Sequence, residues 1–315
     1  MSRRIRVILV VLALLGLLLV VGVDYAIENV LSYSPIRPHR VTVEEVTRYN
    51  PTLLSPAGFT QVWEEFDITV EDTVHLKGWF IPSVQQPARG TIVVLHGIAS
   101  TRIAMLPTAR MLVQNGFNCL LYDSRANGES GGLNCTFGFY EKHDLSAYLD
   151  SALARYPGCE PLGILGDSFG AAVALQAMAI DKRLTCGVAE SPFATLREVI
   201  HDYFRQRFFV PLDFISDEAM EHSERIAHFS VDSVRPVEAA RHILQPTMIV
   251  HGGSDHKISA DYGRRVYENL ASTHKELYII ESAGHDDLAE VGGPEYRRRI
   301  IDFFTKYLAR PAPPA

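Results

Sequence analysis

One short stretch constrains the fold of this chain more than any other. An apolar run ends in Gly166-Asp167-Ser168-Phe169-Gly170, and a helix-forming series from Ala171 to Ala179 follows. The pattern predicts a strand, a tight turn with serine at its apex, and a helix, which together form a nucleophile elbow. Because strand and helix nearly collide at such a turn, Gly166 and Gly170 must lack a Cβ. The alternative is a glycine-rich turn whose serine has no chemical role.

Short apolar runs alternate with helical patterns through most of the remaining chain. Besides the strand before the elbow, strands are predicted at Thr91–Gly97, Asn118–Asp123, Thr185–Glu190, Pro246–Gly252 and Glu276–Glu281. Helices are predicted at Met105–Gln114, Tyr140–Tyr156, Val234–His242, Ala260–Ala271 and Pro294–Leu308. Since strands of this kind are buried on both faces, we expect an α/β fold with a mostly parallel, doubly wound sheet.

The region before these strands has a different pattern. Val62 to Val70 and Val74 to Ile81 alternate between apolar and polar residues around Glu71-Asp72-Thr73. This alternation predicts an antiparallel hairpin at one edge of the sheet. Residues 33–58 are proline-rich and irregular, and we interpret them as a stalk or as a segment that wraps the body.

The interval between Glu190 and Pro246 is much longer than an ordinary connection. Residues 193–232 within it are predicted to form a small helical cap over the carboxyl ends of the strands, where open α/β sheets bind ligands. The phenylalanines that lie among polar residues of the cap include Phe204, Phe208, Phe209 and Phe214. A solvated helical insert is the alternative, but it would leave these rings as an exposed apolar patch.

The N-terminus is predicted to be a membrane segment. Arginines precede an apolar run from Val7 to Val23, which is at the short end of what spans a bilayer. Residues 1–30 are therefore interpreted as an uncleaved signal anchor, with the N-terminus cytoplasmic and the body of residues 31–310 outside. A cleaved signal peptide and a secreted body are the alternative, although no good cleavage site follows the run. Residues 311–315 are expected to be a disordered tail.

Composition excludes several kinds of partner. The net charge of −7 and the absence of a basic stripe argue against nucleic acid. The four cysteines have no zinc-binding spacing, so no metal site is predicted. Disulfides would be permitted in an exported body, but buried thiols are the expected state.

Two downstream loops supply partners for the elbow serine. A serine hydroxyl needs a base to take its proton, and the base needs a carboxylate to hold its tautomer. After such an elbow the acid and then the histidine are expected, each in a loop that follows a strand. Asp255 and His285 occupy these positions. Glu190 is the rival acid, and His251 and His256 are the rival bases.

A developing oxyanion also needs two backbone N–H donors. One donor is expected from Phe169, directly after Ser168. The other is expected from Ile98, in the turn that Gly97 permits after the first parallel strand. His96 is interpreted as a histidine that packs beside the site.

Five blocks together resemble the α/β-hydrolase superfamily. They are His96-Gly97, Tyr122-Asp123-Ser124-Arg125-Ala126-Asn127-Gly128-Glu129-Ser130, Gly166-Asp167-Ser168-Phe169-Gly170, Gly252-Gly253-Ser254-Asp255 and Gly284-His285. The chain is most similar to the serine-aminopeptidase-like, membrane-anchored branch, over about residues 60–308. The resemblance implies hydrolysis of esters, thioesters or amides without a cofactor. Ala126 stands where the family usually has glycine, and Asp167 stands where histidine, tyrosine or glutamate is common.

The expected function is hydrolysis of acyl esters of small or lipid-like molecules by Ser168, His285 and Asp255. If the cap phenylalanines contact the substrate, activity should rise with acyl chain length. A peptidase of the aminopeptidase or prolyl-oligopeptidase type is the second possibility, with Glu221 and Glu224 as candidates for binding a substrate amine. A non-catalytic binding protein on the same fold is a third.

Overall fold

The computed structural model describes residues 2–49, 52–70, 73–208 and 213–308. The strands are β1 Glu64–Glu65, β2 Ile68–Thr69, β3 His75–Leu76, β4 Gly78–Ile81, β5 Thr91–Leu95, β6 Asn118–Tyr122, β7 Leu162–Asp167, β8 Leu184–Glu190, β9 Thr247–Gly252 and β10 Lys275–Ile280. The α-helices are α1 Arg3–Ala26, α2 Val43–Tyr49, α3 Leu106–Gln114, α4 Glu141–Arg155, α5 Phe169–Ile180, α6 Leu196–Phe208, α7 Asp213–Ala227, α8 Pro236–Ala239, α9 Ala260–Asn269 and α10 Leu288–Tyr307.

Eight strands form one sheet in the order β1-β4-β6-β5-β7-β8-β9-β10. The six strands from β6 to β10 in this order are parallel, whereas β1 and β4 are antiparallel at the edge. The prediction of a mostly parallel α/β sheet with an antiparallel N-terminal edge is confirmed. Strand β7 lies at the centre, so the turn that follows it is surrounded by the ends of neighbouring strands.

Apolar side chains alternate between the two faces of the sheet and form two separate clusters. Val93 and Leu95 of β5 belong to the cluster that includes residues of α4 and α5. Ile92 and Val94 belong to the opposite cluster, which includes residues of α3 and α10. Helices therefore cover both faces, which is why the parallel strands are apolar on both sides.

The two predicted segments pair antiparallel in one register, as a hairpin does, but the pairing is interrupted in the middle. Strand β1 pairs with β4, but β2 and β3 form a separate two-stranded sheet. The Asp67 carboxylate between β1 and β2 accepts a hydrogen bond from Gly78 N at 3.2 Å and forms an ion pair with Lys77. A side chain thus takes a backbone donor that a continuous ladder would have used. Glu71 and Asp72 of the predicted turn lie outside the described residues.

The last helix begins earlier than predicted. Helix α10 includes residues from Leu288 onward, and its axis is kinked at Gly293, where φ is 54° and ψ is −134°. Pro294 follows the kink directly, in the first-turn position where a missing N–H is tolerated. The predicted helix of residues 294–308 is therefore the second half of α10.

The N-terminal helix is longer than the predicted membrane run. Helix α1 continues into a π-helical turn, Ile27–Leu31, and within residues 3–31 an 18-residue window has a mean hydropathy of 3.0 with none of it buried. In the part of the chain that the structure describes, this is the one helix long and apolar enough to cross a membrane. Beyond it Ile36 is fully buried, and its carbonyl accepts from Cys135 N at 2.7 Å. At least this part of residues 33–58 wraps the body and is not a stalk.

Helices α6 and α7 form most of the interval between β8 and β9 and pack against each other. Phe204 and Phe208 of α6 are in contact, with ring centroids 5.0 Å apart. Phe209, which was expected to belong to the same group, lies outside the described residues, as does the expected tail of residues 311–315. The expected helix of residues 234–242 is one short turn, α8, followed by a 3₁₀ turn at Ala240–His242.

Candidate active site

The turn after β7 has the strained geometry that its glycines predict. Ser168 has φ of 51° and ψ of −108°, and it directly precedes α5. A Cβ added to Gly166 would lie 2.2 Å from the Gly170 carbonyl oxygen, and one added to Gly170 would lie 2.6 Å from the Leu95 carbonyl oxygen. The strand, the helix and β5 can approach this closely only because both positions are glycine. The turn is fixed from below by Ser168 N, which donates to Glu190 O at 2.8 Å.

Three side chains form a continuous hydrogen-bonded chain at this turn. The distance from Ser168 Oγ to His285 Nε2 is 2.9 Å, and the distance from His285 Nδ1 to Asp255 Oδ2 is 2.7 Å. Asp255 follows β9 and His285 follows β10. A Cβ on Gly252 would lie 2.2 Å from the Gly284 carbonyl oxygen, so small residues allow the two loops to approach each other. The structure therefore brings together the three residues that the sequence singled out.

Asp255 is held as a carboxylate. Its Oδ1 accepts from Lys257 N at 2.9 Å and from Ile258 N at 2.8 Å, while His251 Nε2 lies 3.4 Å from Oδ2. Burial alone would raise the pKa of Asp255. The hydrogen bonds from His251, His285 and Ile258 outweigh burial and lower this pKa well below its ordinary value. The group is therefore ionised at neutral pH.

This carboxylate in turn sets the basicity of His285. Burial lowers the pKa of His285, but the hydrogen bond and negative charge of Asp255 raise it by more, and the charges of Asp167 and Asp286 add to the increase. The net direction is upward from 6.5. A stronger base accepts the serine proton more readily, provided that the pH is high enough to keep the imidazole neutral.

The rival residues have other partners. Glu190 is buried and accepts a hydrogen bond from Tyr296 Oη at 2.5 Å. Burial, together with the charge of Asp167 on the adjacent strand, raises the pKa of Glu190 to about 8. His251 is buried with its Nε2 2.9 Å from Ile258 O, and His256 is exposed. None of the three residues replaces Asp255 or His285 in the hydrogen-bonded chain.

The two expected backbone donors flank Ser168. Phe169 is the first residue of α5, so its N–H has no acceptor within the helix. Ile98 lies in the turn after β5, where a Cβ added to the preceding Gly97 would be 3.7 Å from Ser168 Cβ and 3.0 Å from Asp167 Oδ2. A side chain at Gly97 would crowd the space beside the hydroxyl.

His96 holds this turn in place. It is buried, and its ring nitrogens lie 2.7 Å from Gly97 O and 3.0 Å from Ser124 N. Because a carbonyl can only accept and an amide N–H can only donate, Nδ1 carries the proton and Nε2 accepts. Burial lowers the pKa of His96, in keeping with a neutral ring. The Gly97 carbonyl belongs to the same peptide unit as Ile98 N–H, so His96 fixes the orientation of that donor. His96 was expected to pack beside the site, but its role in orienting this donor was not predicted.

A buried ion pair supports the same turn from the next strand. Asp123, at the end of β6, accepts from Arg102 N at 2.6 Å and from Glu129 N at 2.9 Å, and it pairs with the Arg102 guanidinium. Ala126, in the loop that follows, has φ of 61°. This left-handed conformation favours glycine, which explains why the resembled family usually has glycine there. Alanine adopts it here at some cost in strain.

An apolar cavity of about 580 Å³ lies beside the Ile98 turn. Its walls come from α6 and α7, from Phe137, and from residues that follow the N-terminal helix. The ring of Phe137 also contacts that of Phe169, with centroids 5.8 Å apart, which connects the cavity to the residue after Ser168. Among the described residues no group of three or more histidine, cysteine or acidic side chains is arranged to hold a metal ion.

Comparison with known proteins identifies this architecture. The family model described as serine aminopeptidase, S33, matches residues 86–211. The structure of an esterase from Pyrococcus furiosus aligns with a TM-score of 0.71 and 26% sequence identity, covering 88% of this chain and 99% of the esterase. The chain belongs to the α/β-hydrolase superfamily. It is an esterase-like serine hydrolase.

Relatives of this hydrolase are found in bacteria and fungi. The Bacillus subtilis protein YqkD is 26% identical over 232 residues, which are 72% of this chain and 74% of YqkD. The thiohydrolase aneE of Aspergillus aculeatus is 30% identical over 146 residues, which are 44% of this chain and 45% of aneE.

Proposed function

We propose that this hydrolase cleaves acyl esters, either carboxylic or thio, through an acyl-enzyme formed on Ser168. The observation that carries the proposal is the hydrogen-bonded chain from Ser168 Oγ through His285 to Asp255. The esterase and thiohydrolase names of its relatives support the same class of substrate. No cofactor is needed, because the nucleophile, the base and the oxyanion donors all come from the chain.

The proposed reaction has two halves. Ser168 Oγ attacks the carbonyl carbon while His285 Nε2 takes its proton, and the oxyanion accepts hydrogen bonds from Ile98 N–H and Phe169 N–H. The intermediate collapses when His285 returns the proton to the leaving alcohol or thiol. Water then attacks the acyl-enzyme by the same route and releases the acid. Asp255 remains ionised throughout and stabilises the imidazolium.

The cavity favours an ester over a peptide substrate. Its lining is mainly apolar, and neither Glu221 nor Glu224 belongs to it. Glu224 instead accepts a hydrogen bond from Val231 N at 2.6 Å. A panel of p-nitrophenyl and thio esters run beside aminoacyl amides tests the proposal. We expect kcat/KM for esters to exceed that for the amides by at least a hundredfold, and a preference for the amides would favour the peptidase instead.

We also propose that α1 is an uncleaved signal anchor, with the N-terminus cytoplasmic and the catalytic body outside. Support comes from its exposed apolar surface and from the arginines at its start. The full chain should sediment with membranes and resist extraction by high salt. Protease added from the outer side should digest the body. Protection of the body would reverse the proposed orientation, and a soluble body with a shortened N-terminus would indicate cleavage.

Asp167 should influence the pH dependence of activity. This half-buried carboxylate raises the pKa of His285, whereas burial raises its own pKa to about 6. Activity requires neutral His285, so kcat/KM should fall as the pH drops through a pKa above 6.5. Asp167→Asn removes a negative charge and should move this acid limb to lower pH, as measured with a water-soluble acetyl ester. Asp286→Asn should move it less, because Asp286 is exposed and paired with Lys257. An unmoved limb in Asp167→Asn would contradict the electrostatic role.

A further inference from the structure

We infer that the segment directly after the membrane helix, residues 27–40, forms one wall of the substrate site, and that the substrate is a single-chain amphiphilic ester taken directly from the lipid surface. The inference rests on the proposed esterase function and specifies its substrate class and route of entry. It follows from the juxtaposition of this segment, the Ile98 turn and α6 around one apolar cavity.

Residues of the segment line the cavity. Val30, Leu31, Ser34 and Pro35 face the same space as Ile98 and Ala99 of the turn after β5. Ile98 is the proposed oxyanion donor, so the cavity lies beside the place where the substrate carbonyl would be held. An acyl chain attached to that carbonyl would therefore run between α6 and the segment.

The segment is fixed to the catalytic body. Ser32 is fully buried, and its carbonyl accepts a hydrogen bond from Ser223 Oγ of α7 at 2.6 Å. Further along, the Arg40 guanidinium donates to Ser130 O and Gly132 O, both at 2.5 Å. The chain between these anchor points cannot move away from the body without losing the buried bond from Ser223 and the more exposed bonds of Arg40. The wall is thus a structural part of the site.

The position of the wall places the cavity at the membrane. Val30 lies only four positions after Ala26, the end of α1, which corresponds to about 6 Å of helical rise. The anchor would therefore hold the cavity entrance close to the lipid headgroups. Two apolar residues at the rim of the cavity fit this location. Val30 is 56% exposed and Phe208 is 46% exposed, although both line the cavity. The neighbouring Arg207 places a cation on the same rim, as is common for side chains at the level of lipid headgroups.

An acyl chain is the occupant that best fits these features. The cavity volume of about 580 Å³ lies in the range of small-molecule sites, and its walls offer few polar groups to a charged or peptide ligand. A lipid with one chain can place that chain between α6 and the segment while its headgroup stays at the surface. Entry along the rim keeps the chain out of water on its way to Ser168.

Two substitutions narrow the cavity from the segment side, and one leaves it unaffected. Val30→Trp and Ser34→Trp place a large ring at exposed positions that line the cavity. Val43→Trp adds the same ring to an exposed position outside it. For both cavity variants we expect the ratio of kcat/KM for a dodecanoyl ester to that for an acetyl ester to fall at least tenfold, with no change in Val43→Trp. Fluorophosphonate labelling of Ser168 verifies that each variant is folded. If the ratio of the two kcat/KM values were unchanged in both cavity variants although both are labelled, residues 27–40 would not form a wall of the substrate site.

Entry from the bilayer is tested with the full chain reconstituted in phosphatidylcholine vesicles. A slowly exchanging long-chain monoacyl ester is placed either in the same vesicles or in separate ones. We expect hydrolysis to be at least tenfold faster in the same vesicles, and equal rates would overturn bilayer entry. A protein that turns over acetyl ester but fails these tests retains the proposed esterase function and loses only this inference. A protein that cleaves no ester refutes both.

Discussion

Replacing Ser168 with alanine should abolish labelling by a fluorophosphonate probe and lower ester turnover by roughly five to six orders of magnitude, as removal of a serine nucleophile does in other hydrolases. The reason is local, because the hydroxyl 2.9 Å from His285 Nε2 is the only group at the turn positioned to form an acyl-enzyme. Rates of ester hydrolysis and gel detection of the probe measure the two effects.

The alanine variant should remain folded. Ser168 is buried but its side chain bonds only to His285, while the backbone bond from Ser168 N to Glu190 O is unaffected. Its melting temperature should stay within a few degrees of wild type. Ser191→Ala is a suitable control, because this buried serine lies near the site and its hydroxyl is not part of the hydrogen-bonded chain. If Ser168→Ala labelled at the wild-type rate, the nucleophile would be a different residue.

The sequence predicted the parts of the site that depend on local pattern. The turn at Ser168 could be recognised because it lies between an apolar run and a helix and has a glycine on each side of the serine. A Cβ at either glycine would clash with neighbouring backbone. Asp255 and His285 could be placed because each follows an apolar strand, and the ends of parallel strands meet at one edge of the sheet. In these cases a few neighbouring residues carry the whole signal.

Features that depend on contacts between distant segments could not be predicted. The bond between Ser223 and Ser32 joins residues 191 positions apart, and nothing near either serine in the sequence indicates the other. The same holds for the cavity wall after α1, since an apolar run at the N-terminus indicates a membrane segment but not what its end contacts. The role of His96 was missed because it depends on the N–H of Ser124, 28 positions away, which occupies Nε2 and leaves Nδ1 to donate to Gly97 O.

Single residues explain where the structure departs in detail from the predicted elements. Alternation around residues 62–81 predicts a continuous hairpin, but alternation does not reveal that Asp67 takes the N–H of Gly78 from the ladder. Helix α10 similarly consists of two helices that meet at the kink at Gly293, whereas the sequence pattern predicts only the second of them. In both places a single residue overrides a pattern that is otherwise correct.

Substitution of the two candidate acids, Asp255 and Glu190, should have very different effects on kcat. Asp255→Asn should lower kcat by about ten-thousandfold, because an amide NH₂ facing His285 Nδ1 favours the wrong imidazole tautomer and cannot stabilise the imidazolium. Glu190→Gln should change kcat by only a few-fold. Burial raises the pKa of Glu190 to about 8, so the group is largely protonated at neutral pH and glutamine nearly reproduces its charge and shape.

The two isosteric variants are matched controls for each other, since each converts a buried carboxyl to an amide, one at the end of β8 and the other in the loop after β9. Steady-state kinetics with an acetyl ester at pH 7, below the pKa of Glu190, give both values, and melting temperatures verify folding. A large loss in Glu190→Gln with near-normal turnover in Asp255→Asn would assign the acid to β8, because only a carboxylate that holds His285 can account for a ten-thousandfold effect.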